Sequence, residues 1–206
     1  MSKRNFSLGG TAIVADFMAA LGIPGSSTLG LAVRKALERR RREAVEVLIA
    51  EIEKGKTDDI EFTDDEADEL VQMLLRFSSA VDAGAARQNL RLLAQVIFGL
   101  KRNKTFEYDK FSKWANILQT LTRNEILFLG DAYRLANEPP VEFWKKLGER
   151  LSSNFSFDER HEVAEALTRT GLISPVPALG GMQYRVSPGL KELGQLAELE
   201  PICKDL

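Results

Sequence analysis

Apolar residues recur every three or four positions through most of this chain, and the breaks in that rhythm divide it into helices. Thr11 caps a short apolar helix over 11–21, and Gly22–Ser27 forms a turn. A long helix follows, roughly Thr28 to Lys54, with Leu37, Ala44, Val45, Leu48, Ile49 and Ile52 at helical spacing and Gly55 as its stop. Thr63 and Glu66 form a capping box that opens a helix to about Val81. Asp82 is then the expected cap of a helix from Ala83 to Lys101, with Leu90, Leu93, Ala94, Ile97 and Phe98 on one face. An aromatic-rich helix is expected from about Phe106 to Thr120. Thr122 and Glu125 open another, to about Asn137. Pro139-Pro140 ends that one and begins the next, Val141 to Leu151. Ser156 and Glu159 make a third capping box, for a helix that runs to Thr170 before Gly171.

Beyond Gly171 the period shortens. Met182-Gln183-Tyr184-Arg185-Val186 alternates as a strand does, and Pro175–Gly181 reads as the Pro/Gly-rich tip of a hairpin. Ser187-Pro188 then caps a last helix over about 188–198. The expected fold class is therefore mainly α: a multi-helix N-terminal region over 1–105, then a unit over 106–206 that carries one small β-hairpin.

Within that second region, three stretches carry a family likeness. They are Leu121-Thr122-Arg123-Asn124-Glu125, Ala166-Leu167-Thr168-Arg169-Thr170-Gly171-Leu172-Ile173, and Tyr184-Arg185-Val186-Ser187-Pro188-Gly189-Leu190-Lys191-Glu192-Leu193. With the order helix, helix, helix, hairpin, helix, residues 122–198 resemble a winged helix-turn-helix unit. The resemblance implies that the third helix would enter a DNA major groove and that the wing would touch the backbone. Here the glycine follows Pro188 directly, one position earlier than the family pattern has it.

Charge argues against that docking mode. The third helix carries Asp158, Glu159, Glu162 and Glu165 beside a single arginine, Arg160. Carboxylates near phosphates are repelled and release no counterions. Residues 175–182, the expected wing tip, hold no Lys or Arg. An apolar tip fits a protein contact better, which makes Val176, Leu179 and Met182 candidate protein-interaction residues.

Composition changes the picture in three further places. Residues 34–43 hold six basic and two acidic side chains, so Arg39, Arg40, Arg41 and Arg42 are the candidates for an anionic partner, against a bland reading as a solvated face paired with Glu38 and Glu43. Four consecutive arginines point all round a helix, so one must lie near its apolar side. Residues 51–69 hold ten acidic side chains and two lysines; the acidic start of the 63–81 helix could face the arginines, and it also suits a helix N-terminus by itself. Residues 8–33 are apolar and rich in small side chains, which permits close packing in a core, at an interface or at a membrane; Asp16 and the Gly22-Ile23-Pro24-Gly25 break make insertion costly.

One Cys (Cys203) and one His (His161), far apart in sequence, cannot form a zinc cage, and no phosphate-binding glycine motif is present. A lone thiol suits a reducing compartment, and the N-terminus lacks the pattern of a signal peptide, so a cytoplasmic location is expected. His161 falls beside an apolar stripe and is expected to be partly buried and satisfied rather than catalytic. No catalytic residue, metal site, cofactor or small-molecule substrate is inferred. The expectation is a non-enzymatic adaptor or regulator that binds a protein partner or itself; DNA binding and membrane association through residues 8–33 are the alternatives.

Overall fold

A computed structural model of the chain describes residues 31–54, 62–178 and 181–199. It is mainly α with one two-stranded antiparallel hairpin, and it divides into two compact units, 1–120 and 121–206.

In the first unit, α1 (Leu31–Lys54), α2 (Asp64–Asp82), α3 (Arg87–Arg102) and α4 (Tyr108–Leu118) pack around α3. Every residue of α3 from Leu92 to Leu100 is buried, which is the signature of a central helix. Its buried polar members bond to the neighbouring helices, although Asn89 Oδ1 has no hydrogen-bond partner among the described residues. Asn89 Nδ2 donates to the Leu118 carbonyl (2.6 Å), one of the carbonyls left free at the end of α4. Gln95 Nε2 donates to buried Glu51 of α1 (2.9 Å), and Arg91 Nε donates to the same carboxylate (2.8 Å). The helix expected from Phe106 belongs here rather than with the hairpin unit, because α4 packs on α2 and α3. Phe111, Trp114 and Leu118, at most 1% exposed, supply its buried stripe.

The Thr63–Glu66 capping box forms as expected. The acidic start of α2 finds other partners among the described residues than the arginine run. Glu66 pairs with Lys101 of α3 (2.6 Å), and Glu69 accepts the backbone N–H of Tyr108 at the start of α4. Burial pushes the Glu66 carboxyl up, but hydrogen bonds from Lys101 and Thr63 together with the lysine charge outweigh it and hold the group below its usual range. Asp82 also departs from expectation. It ends α2 instead of capping α3, because Gly84 turns the chain at φ +88° and delays the next helix to Arg87.

In the second unit, α5 (Arg123–Arg134), α6 (Pro140–Leu151) and α7 (Phe157–Thr168) form a helical cluster. The hairpin β1 (Ile173–Ala178) and β2 (Gly181–Val186) lies against α7 and α6, and α8 (Pro188–Leu196) packs on α5. The Thr122–Glu125 and Ser156–Glu159 capping boxes are both present. Gly171, at φ +70°, ends the turn after α7 in a conformation that favours glycine. The hairpin tip is shorter than the sequence implies. Pro175 and Pro177 lie within β1, paired with Tyr184 and Met182, and Val176 is a half-buried strand residue opposite Gln183. Ser187 ties the start of α8 back to the turn: its hydroxyl donates to the Gly171 carbonyl (2.6 Å) and accepts from Leu190 N–H (3.2 Å).

Glu125 joins the two ends of this cluster. Its carboxylate, 3% exposed, accepts from Thr122 N–H (2.7 Å) and from the Arg169 guanidinium just after α7 (2.6 Å). Burial raises its pKa, but the hydrogen bonds from Arg169 and Thr122 outweigh that and leave it below the ordinary 4.5. A depressed carboxyl stabilises the fold above its unfolded pKa, and that contribution disappears as pH falls through the folded value. Glu125→Gln keeps a capping side chain but loses the charge. It should cost about 1 kcal/mol at about pH 7 and lessen the further loss of stability on acidification to about pH 3.5, measured by urea unfolding at both pH values.

Candidate functional site

Two turns of helix and one strand converge on an aromatic cleft in the second unit. On α6, Trp144 and Gly148 are four residues apart and share a face. On α7, Phe157 is the first helical residue after the Ser156 cap, so Arg160 and His161 project from the same side one turn later. Tyr184 of β2 closes the inner end.

The rings form a continuous cluster. His161 meets Trp144 edge-on (4.9 Å between centroids, 75° between planes), lies 4.6 Å from Phe157 and 5.9 Å from Tyr184, and Trp144 lies 5.1 Å from Tyr184. The Arg160 guanidinium sits 4.8 Å from the Trp144 ring centroid and 5.2 Å from that of Phe157. These are cation–π distances. The cleft, open to solvent, has a volume of about 840 Å³, with Met182 and Gln183 of β2 on its far wall. Trp144 and Tyr184 are buried, whereas Phe157 is 65% and Met182 45% exposed at the mouth.

Two buried polar atoms here have no hydrogen-bond partner among the described residues: Arg160 Nε and His161 Nε2. Burial pulls the His161 pKa below its ordinary 6.5; the Arg160 charge adds to this and Asp158 opposes it. Burial also lowers Arg160, which nonetheless stays a cation. The cleft therefore presents a half-buried guanidinium and a neutral-leaning imidazole beside aromatic rings, with Lys145, Glu149, Ser152 and Gln183 also on its lining. It can hold a ligand by charge, by stacking and by apolar contact.

The outer face of α7 is a different surface. Asp158, Glu159, Glu162 and Glu165 are all exposed. Glu159 is committed to the cap, where Ser156 N–H donates to its carboxylate (2.8 Å) and lowers its pKa. Arg160, the one cation in this stretch, is drawn into the cleft.

The residues proposed from the sequence fall unevenly. Met182 lines the cleft, Val176 lies in the body of β1, and Leu179 is outside the described residues. The four arginines are spread around α1, with Arg39, Arg40 and Arg42 exposed. Arg41 is half-buried and holds Asp82 through two bonds of 3.1 Å; Arg40 lies against Gly84; Arg39 pairs with Glu43 (3.7 Å); Arg42 is exposed. Arg41 is the one turned toward the interior, as the geometry of a four-residue run requires. The apolar segment 8–33 lies outside the described residues except for 31–33. No helix among the described residues is long and apolar enough to cross a membrane.

Sequence reasoning placed His161 beside an apolar stripe and missed the cleft. The available signal was the coincidence of Phe157, Arg160 and His161 at i, i+3, i+4 with Trp144 and Gly148 at i, i+4. The imidazole also differs from the expected satisfied core histidine, since its Nε2 is buried among aromatic rings with no hydrogen-bond partner among the described residues. No family model matches this chain, and no curated protein and no solved structure matches it either.

Proposed function

We propose that the protein is a non-enzymatic interaction module, an adaptor or regulator whose winged-helix-like C-terminal unit holds a protein partner instead of a nucleic acid. The observation that carries this reading is the placement of Arg160. Turned between Trp144 and Phe157, it leaves the outer face of α7 with four exposed carboxylates, which a phosphate backbone would meet with repulsion. The apolar Phe157 and Met182, exposed at the mouth of the cleft, supply the kind of anchor that a partner side chain desolvates.

Affinity purification of the tagged full chain from its native host, with washes at low and high salt, tests the proposal. A specific partner should survive a wash at about 0.5 M salt and be lost with Phe157→Asp and with Met182→Asp, because apolar contacts are not screened. Duplex DNA should give no saturable binding at ~50 mM salt. Duplex binding that weakens steeply with salt and disappears when Arg39, Arg40, Arg41 and Arg42 are all replaced by alanine would replace this reading with a DNA regulator. A partner retained by both aspartate variants would sink it as well.

A further inference from the structure

We infer that the cleft between α6, α7 and the start of β2 is a receptor for a carboxylate carried on an apolar body, with Arg160 as the anion-binding group. The inference rests on the interaction reading of this site and names the chemistry that the partner must present. The cleft volume of about 840 Å³ is that of a ligand pocket. Arg160 has no carboxylate within ion-pair distance among the described residues, and its buried Nε has no acceptor. Its guanidinium, half-buried in the cleft and held against the Trp144 and Phe157 rings, offers a planar fork of donors to an incoming carboxylate. Its position is also built. A Cβ on Gly148 would fall 1.8 Å from a terminal guanidinium nitrogen, so the cation occupies the space that a side chain on α6 would fill.

Two features select the ligand. Lys145 and Glu149 on the cleft lining offset one another, which leaves one guanidinium to balance one negative charge, so a monoanionic carboxylate fits better than a phosphate dianion. Phe157 and Met182, exposed at the mouth, provide an apolar surface for the body that carries it. An amine would face like charge from Arg160.

The test is NMR titration of the full chain, followed at the His161 ring protons, which are unambiguous because the chain has one His, and at the Trp144 indole. N-acetylleucine, N-acetylleucinamide and inorganic phosphate are the probes. The acid should bind with a Kd on the order of millimolar, as a fragment of that size does. The amide and phosphate should each bind at least about tenfold more weakly, the loss of one charge-assisted contact. Arg160→Met should abolish binding of the acid. Gly148→Ala, whose methyl group would take the place of the guanidinium, should do the same. A peptide ending in a free leucine carboxylate that binds more tightly than N-acetylleucine identifies a chain terminus as the source; equal affinity identifies a small acid. Equal binding of acid and amide, or no binding of the acid to the wild-type protein, overturns the inference. Neither result touches the partner-retention experiment with the Phe157 and Met182 variants, so failure of the carboxylate assignment and failure of the interaction reading are told apart.

Discussion

Glu51→Ala should destabilise the N-terminal unit by about 2–3 kcal/mol while leaving the C-terminal unit unchanged. Glu51 is 8% exposed and accepts from both Arg91 and Gln95 across the α1–α3 contact. Removing one member of a buried pair leaves the other charge with part of its desolvation uncompensated, a cost of about 3–5 kcal/mol when the pair is fully enclosed. The Arg91 side chain keeps 18% exposure and can recover some hydration, which sets the lower figure. Replacing both partners, as Glu51→Met with Arg91→Met, should return most of the loss, because two apolar side chains leave no orphaned charge. The chain has two tryptophans, Trp114 in the first unit and Trp144 in the second. Urea unfolding followed by Trp114 fluorescence in a Trp144→Phe background therefore reports the first unit alone. An unchanged Trp114 transition in the Glu51→Ala variant would show that the pair contributes nothing net.

Gly194→Ala should destabilise the C-terminal unit by about 1–2 kcal/mol, against the helix propensity of the two residues. The α8 glycine lies against the ring of Tyr133 from α5: a Cβ there would sit 2.0 and 2.1 Å from two ring carbons. Either the ring leaves its place or α8 lifts from α5. In a Tyr133→Ala background the obstruction is gone, and the same substitution should become neutral or stabilise by up to ~1 kcal/mol, since alanine is the better helix former. A double-mutant cycle by urea unfolding measures the reversal. If alanine costs the same in both backgrounds, the ring is not what the glycine accommodates.

Much of the architecture was legible because the signals that mark helix ends are local. All three capping boxes, at Thr63, Thr122 and Ser156, open helices where the sequence puts them, and Ser187-Pro188 opens the last one. Errors arose where a tertiary contact decided between two local options. Asp82 has the chemistry of a cap, but Arg41 from a helix forty-one residues earlier takes its carboxylate. The prolines at 175 and 177 look like a loop, yet they fit a strand because β1 has a partner on one side only. The cleft was illegible for a similar reason. Its members come from three elements, and the direction of Arg160, inward to Trp144 and not outward with its acidic neighbours, depends on the space left by Gly148.

Those prolines also govern how the hairpin can meet other molecules. Alternate residues of a strand aim their N–H groups toward and away from the neighbour, and Pro175 and Pro177 share one parity. Since proline cannot donate to the ladder, both occupy positions that face away from β2. A second polypeptide laid along that rim would therefore lack two of the amide donors it needs for continuous pairing. The β1 edge is thereby guarded against edge-to-edge stacking into fibres, and a visitor along it must be recognised through side chains rather than by borrowing its backbone.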